Sequence, residues 1–248
     1  MIPVPIPPLS MLPGALEFSP MQFALCHVAA NNPEYLKAYG DVGRNHEQFL
    51  ILDNGAFENG TSDLLPQLIE VAHAMCPNEI VLPDRMFMAD ETIKLSTEGL
   101  AMMQMEFDDY PGPKFAGVVH GLNHKEWLDC AYAMFDMGVD TLMIPKDYEA
   151  WPGGREVLVA MVQKLGLPIH LLGMEKNVQS VFNWRCTELV RSMDTAKPYI
   201  HGWNSSNMWH NPHSPRQSDF FTLEFTPEQQ TMVHDNLMIW QTLCDNLG

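Results

Sequence analysis

The stretch FLILDNGAF, Phe49 to Phe57, decides the reading of the fold. Phe49, Leu50, Ile51 and Leu52 run uninterrupted into Asp53, and the turn-forming pair Asn54-Gly55 follows at once. A short, unbroken apolar run closed by a turn signal reads as a strand buried on both faces, the strand type of parallel sheets. Four further segments repeat the pattern. EIVLPDRM (79–86) leads to Asp84, FAGVVHG (115–121) to His120 and Gly121, PIHLLGM (168–174) to Gly173, and ELVRSMDTA (188–196) to Asp194. In a parallel α/β barrel the C-terminal strand ends share one face, so these residues are expected to converge on one pocket.

Working outward, QFALCHVAA (22–30) is the predicted first strand and FLILD (49–53) the second. EIVLP (79–83), FAGVVH (115–120), TLMIP (141–145), IHLLG (169–173) and LVRSMD (189–194) follow, with a weak eighth at PYIHGW (198–203). Helices are predicted near 62–76, capped by Thr61, Ser62 or Asp63, and near 90–105, 124–137, 154–165 (ended by Gly166) and 176–187. Strand–helix alternation implies a parallel sheet with right-handed crossovers. No Gly-rich dinucleotide loop or P-loop follows any strand, which favours a closed barrel over an open sheet. The predicted class is α/β, a single-domain TIM (β/α)8-type barrel over residues 1–248 with an irregular eighth strand. Residues 1–20 read as an extended, proline-stiffened arm and 204–225 as a long loop. Residues 226–247 read as a C-terminal helix with Thr226 as N-cap and Pro227 at its first position, burying Met232, Leu237, Ile239, Trp240 and Leu243.

The 248 residues are close to the usual length of one such barrel, and 46% apolar content suits a globular domain. No stretch approaches the roughly 20 apolar residues of a membrane span. The opening MIPVPIPPLSMLPG lacks the basic region and apolar core of a secretory signal, so a cytoplasmic location and no membrane partner are expected. Cys26, Cys76, Cys130, Cys186 and Cys244 stand singly, without a CxxC pair; they read as reduced, core-filling thiols, and no metal is expected. A formal charge of −17 argues against broad, nonspecific nucleic-acid binding and suits a protein partner. The few cations are unevenly placed: Arg85, Lys146, Lys176 and Lys197 each come shortly after a predicted strand end, on the pocket side.

Each chemistry-bearing residue has a plain alternative. Asp53 could belong only to an Asn-Gly turn, Asp84 could pair with Arg85 at the surface, His120 could be a satisfied structural histidine, and Asp194 could cap a helix. Their common position at strand ends favours acid–base or glycosidic chemistry.

Taken as a series, the segments resemble the tRNA-guanine transglycosylase superfamily of TIM barrels, which exchange guanine for a 7-deazaguanine base. DNGAF at Asp53 resembles the family's D-S-G-G-F motif, which implies an acid/base role for Asp53 beside Phe57. Asp84 fits, by order, the aspartate that pairs with the guanine edge. Gly117-Val118-Val119-His120-Gly121 resembles G-I-V-Q-G, with His120 in place of the base-reading Gln. Leu171-Leu172-Gly173-Met174 resembles L-M-G-V-G, which puts Gly173 and Met174 at the base. Asp194 stands where the family's nucleophilic aspartate falls. The resemblance spans roughly residues 22–200. The clustered Cys and His of the family's zinc subdomain, and much of its tRNA-gripping length, have no counterpart here. Short, zinc-free members are similar to phage and bacterial enzymes that modify DNA, which implies DNA rather than tRNA as substrate, a guanine or 7-deazaguanine base, no cofactor, and host cytoplasm for a phage-encoded protein. The target nucleotide would leave the stack. Arg85, Lys146, Lys176, Lys197, Trp203 and Trp209, with His201, His210 and His213, would contact the displaced strand. Three other functions stay open: a tRNA-type enzyme acting on RNA, a metal-dependent hydrolase using Asp53, Asp84 and His120 with His27 or His170, and a non-catalytic barrel that binds a nucleobase or a partner.

Overall fold

The computed structural model describes residues 1–59, 65–108, 112–174, 184, 187–202, 209–210 and 217–245. Among them eight parallel strands form one rolled sheet: β1 (Ile2–Pro5), β2 (Met21–Leu25), β3 (Phe49–Asp53), β4 (Glu79–Val81), β5 (Lys114–Val118), β6 (Thr141–Pro145), β7 (Ile169–Leu172) and β8 (Val190–Thr195). The hydrogen-bonded order is β1-β8-β7-β6-β5-β4-β3-β2. Helices α1 (Leu12–Phe18), α2 (Cys26–Asn31), α3 (Pro33–Asn45), α4 (Ala56–Asn59), α5 (Leu65–Met75), α6 (Ala89–Glu106), α7 (His124–Met137) and α8 (Gly154–Val162) connect them. This is the expected (β/α)8-type barrel. Leu50, Ile51 and Leu52, with Ile80, Val81, Leu142, Met143 and Ile144, are all 0% exposed, as two-sided burial of these apolar runs requires.

The ends of the barrel differ from expectation. The proline-rich opening is not an arm but strand β1, whose Ile2, Pro3, Val4 and Pro5 pair in register with Ser192, Met193, Asp194 and Thr195 of β8. The Ile6 N–H continues this ladder to the Thr195 carbonyl at 3.0 Å. Backbone groups of alternate residues point to opposite sides of a strand. Ile2, Val4 and Ile6 therefore face β8, and Pro3 and Pro5 face β2. Proline has no N–H to give, so β1 lies against β2 without joining its ladder. Ser19 bridges this seam: its hydroxyl donates to the Pro3 carbonyl at 2.6 Å and accepts the Met21 N–H at 3.2 Å.

The other predicted outer strands fail for local reasons. The run 22–30 stops being a strand at Leu25; the next six residues coil into α2 and bury Cys26, Val28 and Ala29. PYIHGW is not a barrel strand. Thr195 Oγ1 accepts the Lys197 N–H at 3.1 Å, and a short helix, Lys197–Ile200, carries Pro198 in its first turn, where its missing N–H costs nothing. His201–Gly202 then pairs antiparallel with Trp209–His210. The region 204–225 is also not all loop, because a 3-10 helix spans Gln217–Thr222.

The C-terminal helix Pro227–Asp245 begins as expected. Thr226 Oγ1 accepts the Gln229 N–H at 3.3 Å, and Gln229 Oε1 accepts the Thr226 N–H at 2.9 Å. Its inward face carries Val233, Asn236, Leu237, Trp240 and Cys244, whereas Met232 and Ile239 are exposed. Cys76 is exposed as well: it sits just past α5 with a φ of 53°, outside the core predicted for it, while Cys26, Cys130 and Cys244 are buried. No helix among the described residues is long and apolar enough to cross a membrane.

At the N-terminal end of the strands, an ion pair with a buried carboxylate lies inside the barrel. Arg191 on β8 donates to Glu79 on β4 through Nη2 at 2.6 Å and Nη1 at 3.2 Å, and Thr141 on β6 donates to Glu79 Oε1 at 2.5 Å. Glu79 is wholly enclosed. Glu79→Ala is expected to lower stability by about 1–3 kcal/mol in chemical denaturation, because it leaves the partly exposed Arg191 without its counter-charge and the buried Thr141 hydroxyl without its acceptor. The double change Glu79→Leu with Arg191→Met should recover most of that loss.

Candidate active site

A cavity of about 370 Å³ opens at the C-terminal strand ends, and Asp53, Asp84 and Asp194 all line it. His120, Phe57, Gly173, Met174, Lys146 and Lys197 line it too. Nine of the predicted site residues thus meet at one place, though they come from six different strand ends. That follows from parallel strands, which all present their carboxyl ends on one face.

The three aspartates are held differently. Asp53 ends β3 and accepts the Gly55 N–H on Oδ2 at 2.9 Å, a local turn that Gly55 permits with a φ of 75°. Asp84 follows β4. Its Oδ1 accepts from Asn54 Nδ2 at 2.6 Å, and its Oδ2 lies 2.7 Å from His120 Nε2. The Phe87 N–H donates to His120 Nδ1 at 3.2 Å, which places the ring hydrogen on Nε2, pointing at Asp84. Phe87 reaches this position with a φ of 62°, a strained conformation for a bulky residue. Asp194 near the end of β8 uses one oxygen: Oδ1 accepts the Gly173 N–H at 3.0 Å and His170 Nε2 at 3.0 Å. Among the described residues Oδ2 takes no hydrogen bond. His170 is itself set by Ser192 Oγ at 2.7 Å from Nδ1 and by stacking on Phe23, with ring centroids 5.4 Å apart.

Two predicted contacts fail. Gly121 is not part of the cavity wall; its N–H donates to Tyr148 Oη at 3.0 Å, and α7 packs so closely that a Cβ would fall 2.4 Å from the Trp127 nitrogen. Its amide therefore serves Tyr148 rather than a ligand. Burial pushes the Tyr148 phenol up, so it stays protonated, with the Gly121 carbonyl at 3.2 Å and His120 Nδ1 at 3.3 Å as acceptors. Arg85 turns away from the cavity and pairs with Glu91 at 3.0 Å. The Asp84–Arg85 surface pair is thereby replaced by Asp84–His120. Lys176, Trp203 and His213 lie outside the described residues, and of His201, Trp209 and His210 only the backbone is described.

Sequence reasoning missed several neighbours. Phe220 and Phe221, from the Gln217–Thr222 turn, close one side of the cavity, and Phe23 and Asp147 contribute to its wall. The adjacent pair Phe220-Phe221 at the edge of a polar stretch was the one available signal. Asn54, within the DNGAF motif, lines the cavity as well and holds Asp84, whereas Tyr148 and Arg155 act behind the wall and carry no motif. Lys146 Nζ sits 4.6 Å from the centroid of the Phe57 ring, a cation–π contact at the rim. No group of three His, Cys, Asp or Glu side chains among the described residues could hold a metal ion; His170, proposed as a ligand, is turned to Ser192 and Asp194, and His27 stacks edge-on against Phe221.

No protein-family model matches the sequence, and no characterised relative matches it. Solved structures with the same fold include KGPDC from Streptococcus mutans, with a TM-score of 0.54 and 8% identity over 97% of this chain and 98% of that one. A thiamine phosphate pyrophosphorylase from Pyrococcus furiosus aligns at a TM-score of 0.50 and 15% identity, over 95% of each chain. A 4-hydroxy-2-oxoglutarate aldolase aligns at 0.51 and 11%, over 98% of this chain and 93% of that one. At such identities the likeness shows the barrel fold alone.

Cys26 lies beside the site and illustrates its electrostatics. Burial, and then the charge of Asp53, push its thiol up to about 12. Burial likewise raises Cys130 to about 11 and Cys244 to about 12. A raised thiol pKa leaves little thiolate at pH 8. Of the four cysteines among the described residues, iodoacetamide on the native protein at pH 8 should therefore label the exposed Cys76 and spare the other three, as read by peptide mass spectrometry.

Proposed function

We propose that the protein is a transglycosylase that exchanges guanine for a 7-deazaguanine base in DNA. The observation that carries this reading is the meeting of Asp53, Asp84 and Asp194 in one cavity of purine-compatible size. The resemblance of the five strand-end motifs to the transglycosylase superfamily supplies the roles.

Asp194 Oδ2 attacks C1′ from the face opposite the base, and the C1′–N9 bond breaks, leaving a glycosyl ester on the enzyme. Oδ1 keeps the Gly173 and His170 donors throughout, so the two oxygens have separate duties. Asp53, as the acid, protonates the departing guanine. After a deazaguanine enters, the Asp53 carboxylate removes its N9 proton, N9 attacks C1′, and Asp194 is released. Two inversions restore the configuration, as in retaining glycosidases. Asp84 accepts from the N1–H and exocyclic amine, an edge that presents only donors. Asn54 and His120 donate to Asp84 and hold its carboxylate in place. Phe57, Phe220 and Phe221 offer apolar surface to the flat ring. With a formal charge of −17, the chain grips DNA at few points, Lys146 and Lys197 among them, or through a partner.

Lys146 supports a second reading, a Schiff-base lyase like the aldolases that share the fold. It follows the last residue of β6 and lines the same cavity. Against it, barrels often bind substrate phosphate at the ends of β7 and β8, and here the Asp194 carboxylate occupies the β7-end amide of Gly173 and would repel a phosphate.

The protein should incorporate labelled guanine or 7-cyano-7-deazaguanine into DNA and not into tRNA, as read by nucleoside mass spectrometry. Label in tRNA alone would move the assignment to RNA, and label in neither would overturn it. Asp194→Asn should lower exchange by about 10⁴-fold or more and abolish a trapped covalent DNA adduct, with the fold retained. Asp84→Ala should raise KM for the base far more than for DNA. Borohydride trapping of Lys146 with a keto acid would instead support the lyase.

A further inference from the structure

We infer that Arg155, buried in the helical layer, is a positioning residue for Asp194, acting through the Leu172–Gly173 peptide. This rests on Asp194 being the nucleophile.

Arg155 opens α8 and is fully buried. Its Nη1 reaches three carbonyls at the barrel's catalytic rim: Ile144 at 3.3 Å, Leu172 at 3.3 Å and Gly173 at 3.0 Å. The Leu172 carbonyl and the Gly173 N–H belong to one peptide unit. That N–H donates to Asp194 Oδ1 at 3.0 Å. A cation therefore sits at the oxygen end of a peptide dipole, and a carboxylate at its hydrogen end. In an enclosed site such a chain polarises, and the peptide becomes a stronger donor to the carboxylate. The effect fixes which oxygen of Asp194 stays bonded and which attacks.

The surroundings maintain this alignment. Glu149 Oε1 accepts from Arg155 Nε at 2.6 Å, and its Oε2 accepts the Arg155 backbone N–H at 3.5 Å, so the planar guanidinium is held from behind. Gly173 has a φ of 69°, which folds its own carbonyl back onto the Nη1 that already holds Leu172. A side chain at 173 would collide with Lys146, whose Cδ is 2.8 Å from the place of a Cβ. An arginine that merely joined a helix to the sheet would have no need to converge on both carbonyls flanking the amide that feeds Asp194.

The test reads the Gly173 amide proton by NMR in isotope-labelled full-length protein, independently of turnover. Asp194→Asn identifies the signal by moving it upfield. Arg155→Lys and Glu149→Gln, the latter carrying the test where the lysine variant does not fold, are expected to move it upfield as well. In base exchange both should lower kcat about tenfold with KM for the deazaguanine within about twofold of wild type. A Gly173 amide at its wild-type position in a folded variant would overturn the inference, as would a loss confined to KM. Should the resonance move while wild-type protein exchanges no base, the Arg155 linkage stands and the transglycosylase reading falls.

Discussion

The parallel pairing of β1 with β8 is the constraint on which the rest depends. Seven strands with helices between them would make only a curved sheet. The eighth closes it, and it does so beside the residue proposed to carry the chemistry, since Val4 is paired in register with Asp194. The Ile6 N–H then fixes the Thr195 carbonyl, so the last residues of β8 cannot splay outward. Ile6 and Thr195 both enter the cavity wall. Closure and site formation are therefore one event in this barrel.

Around that ring, the three aspartates show how a barrel assigns different environments to the same side chain. Asp53 is restrained by its own turn, Asp84 by partners from the loops after β3 and β5, and Asp194 by β7 alone. Neighbouring strands thus fix what each strand end presents. Helices add a further layer of control from outside, as Arg155 and Tyr148 do, without touching the cavity themselves. Carboxylates proposed as acid, base reader and nucleophile need unlike surroundings, and this arrangement supplies them.

Much of this was legible in the chain because two-sided burial writes strands as apolar runs. β3 and β6 match their predicted limits, whereas β4 and β5 end two residues earlier than predicted, β7 one earlier and β8 one later. β1 was illegible because Pro3 and Pro5 read as breakers. Their meaning depends on which side of the strand has no partner, and that is known only once the ring exists. Gly121 shows a second limit. Its place in a motif suggested a free amide, yet the phenol of Tyr148, 27 positions along, takes it. Arg155 sits in an ordinary amphipathic helix, GREVLVAMV, where nothing local distinguishes a guanidinium turned inward from one turned to water. Arg85 shows the reverse, a strand-end cation drawn off by an acidic neighbour on α6.

The proline seam between β1 and β2 has a kinetic consequence. β1 must also pair with β8, far along the chain, and these two find each other late, after the intervening units have folded, because bringing them together costs loop-closure entropy that only a nearly finished sheet can offset. The final closure is then sealed on one flank by the Ser19 hydroxyl instead of a ladder. Local opening should begin there, and amide exchange in β1 should outpace that in β3 to β6.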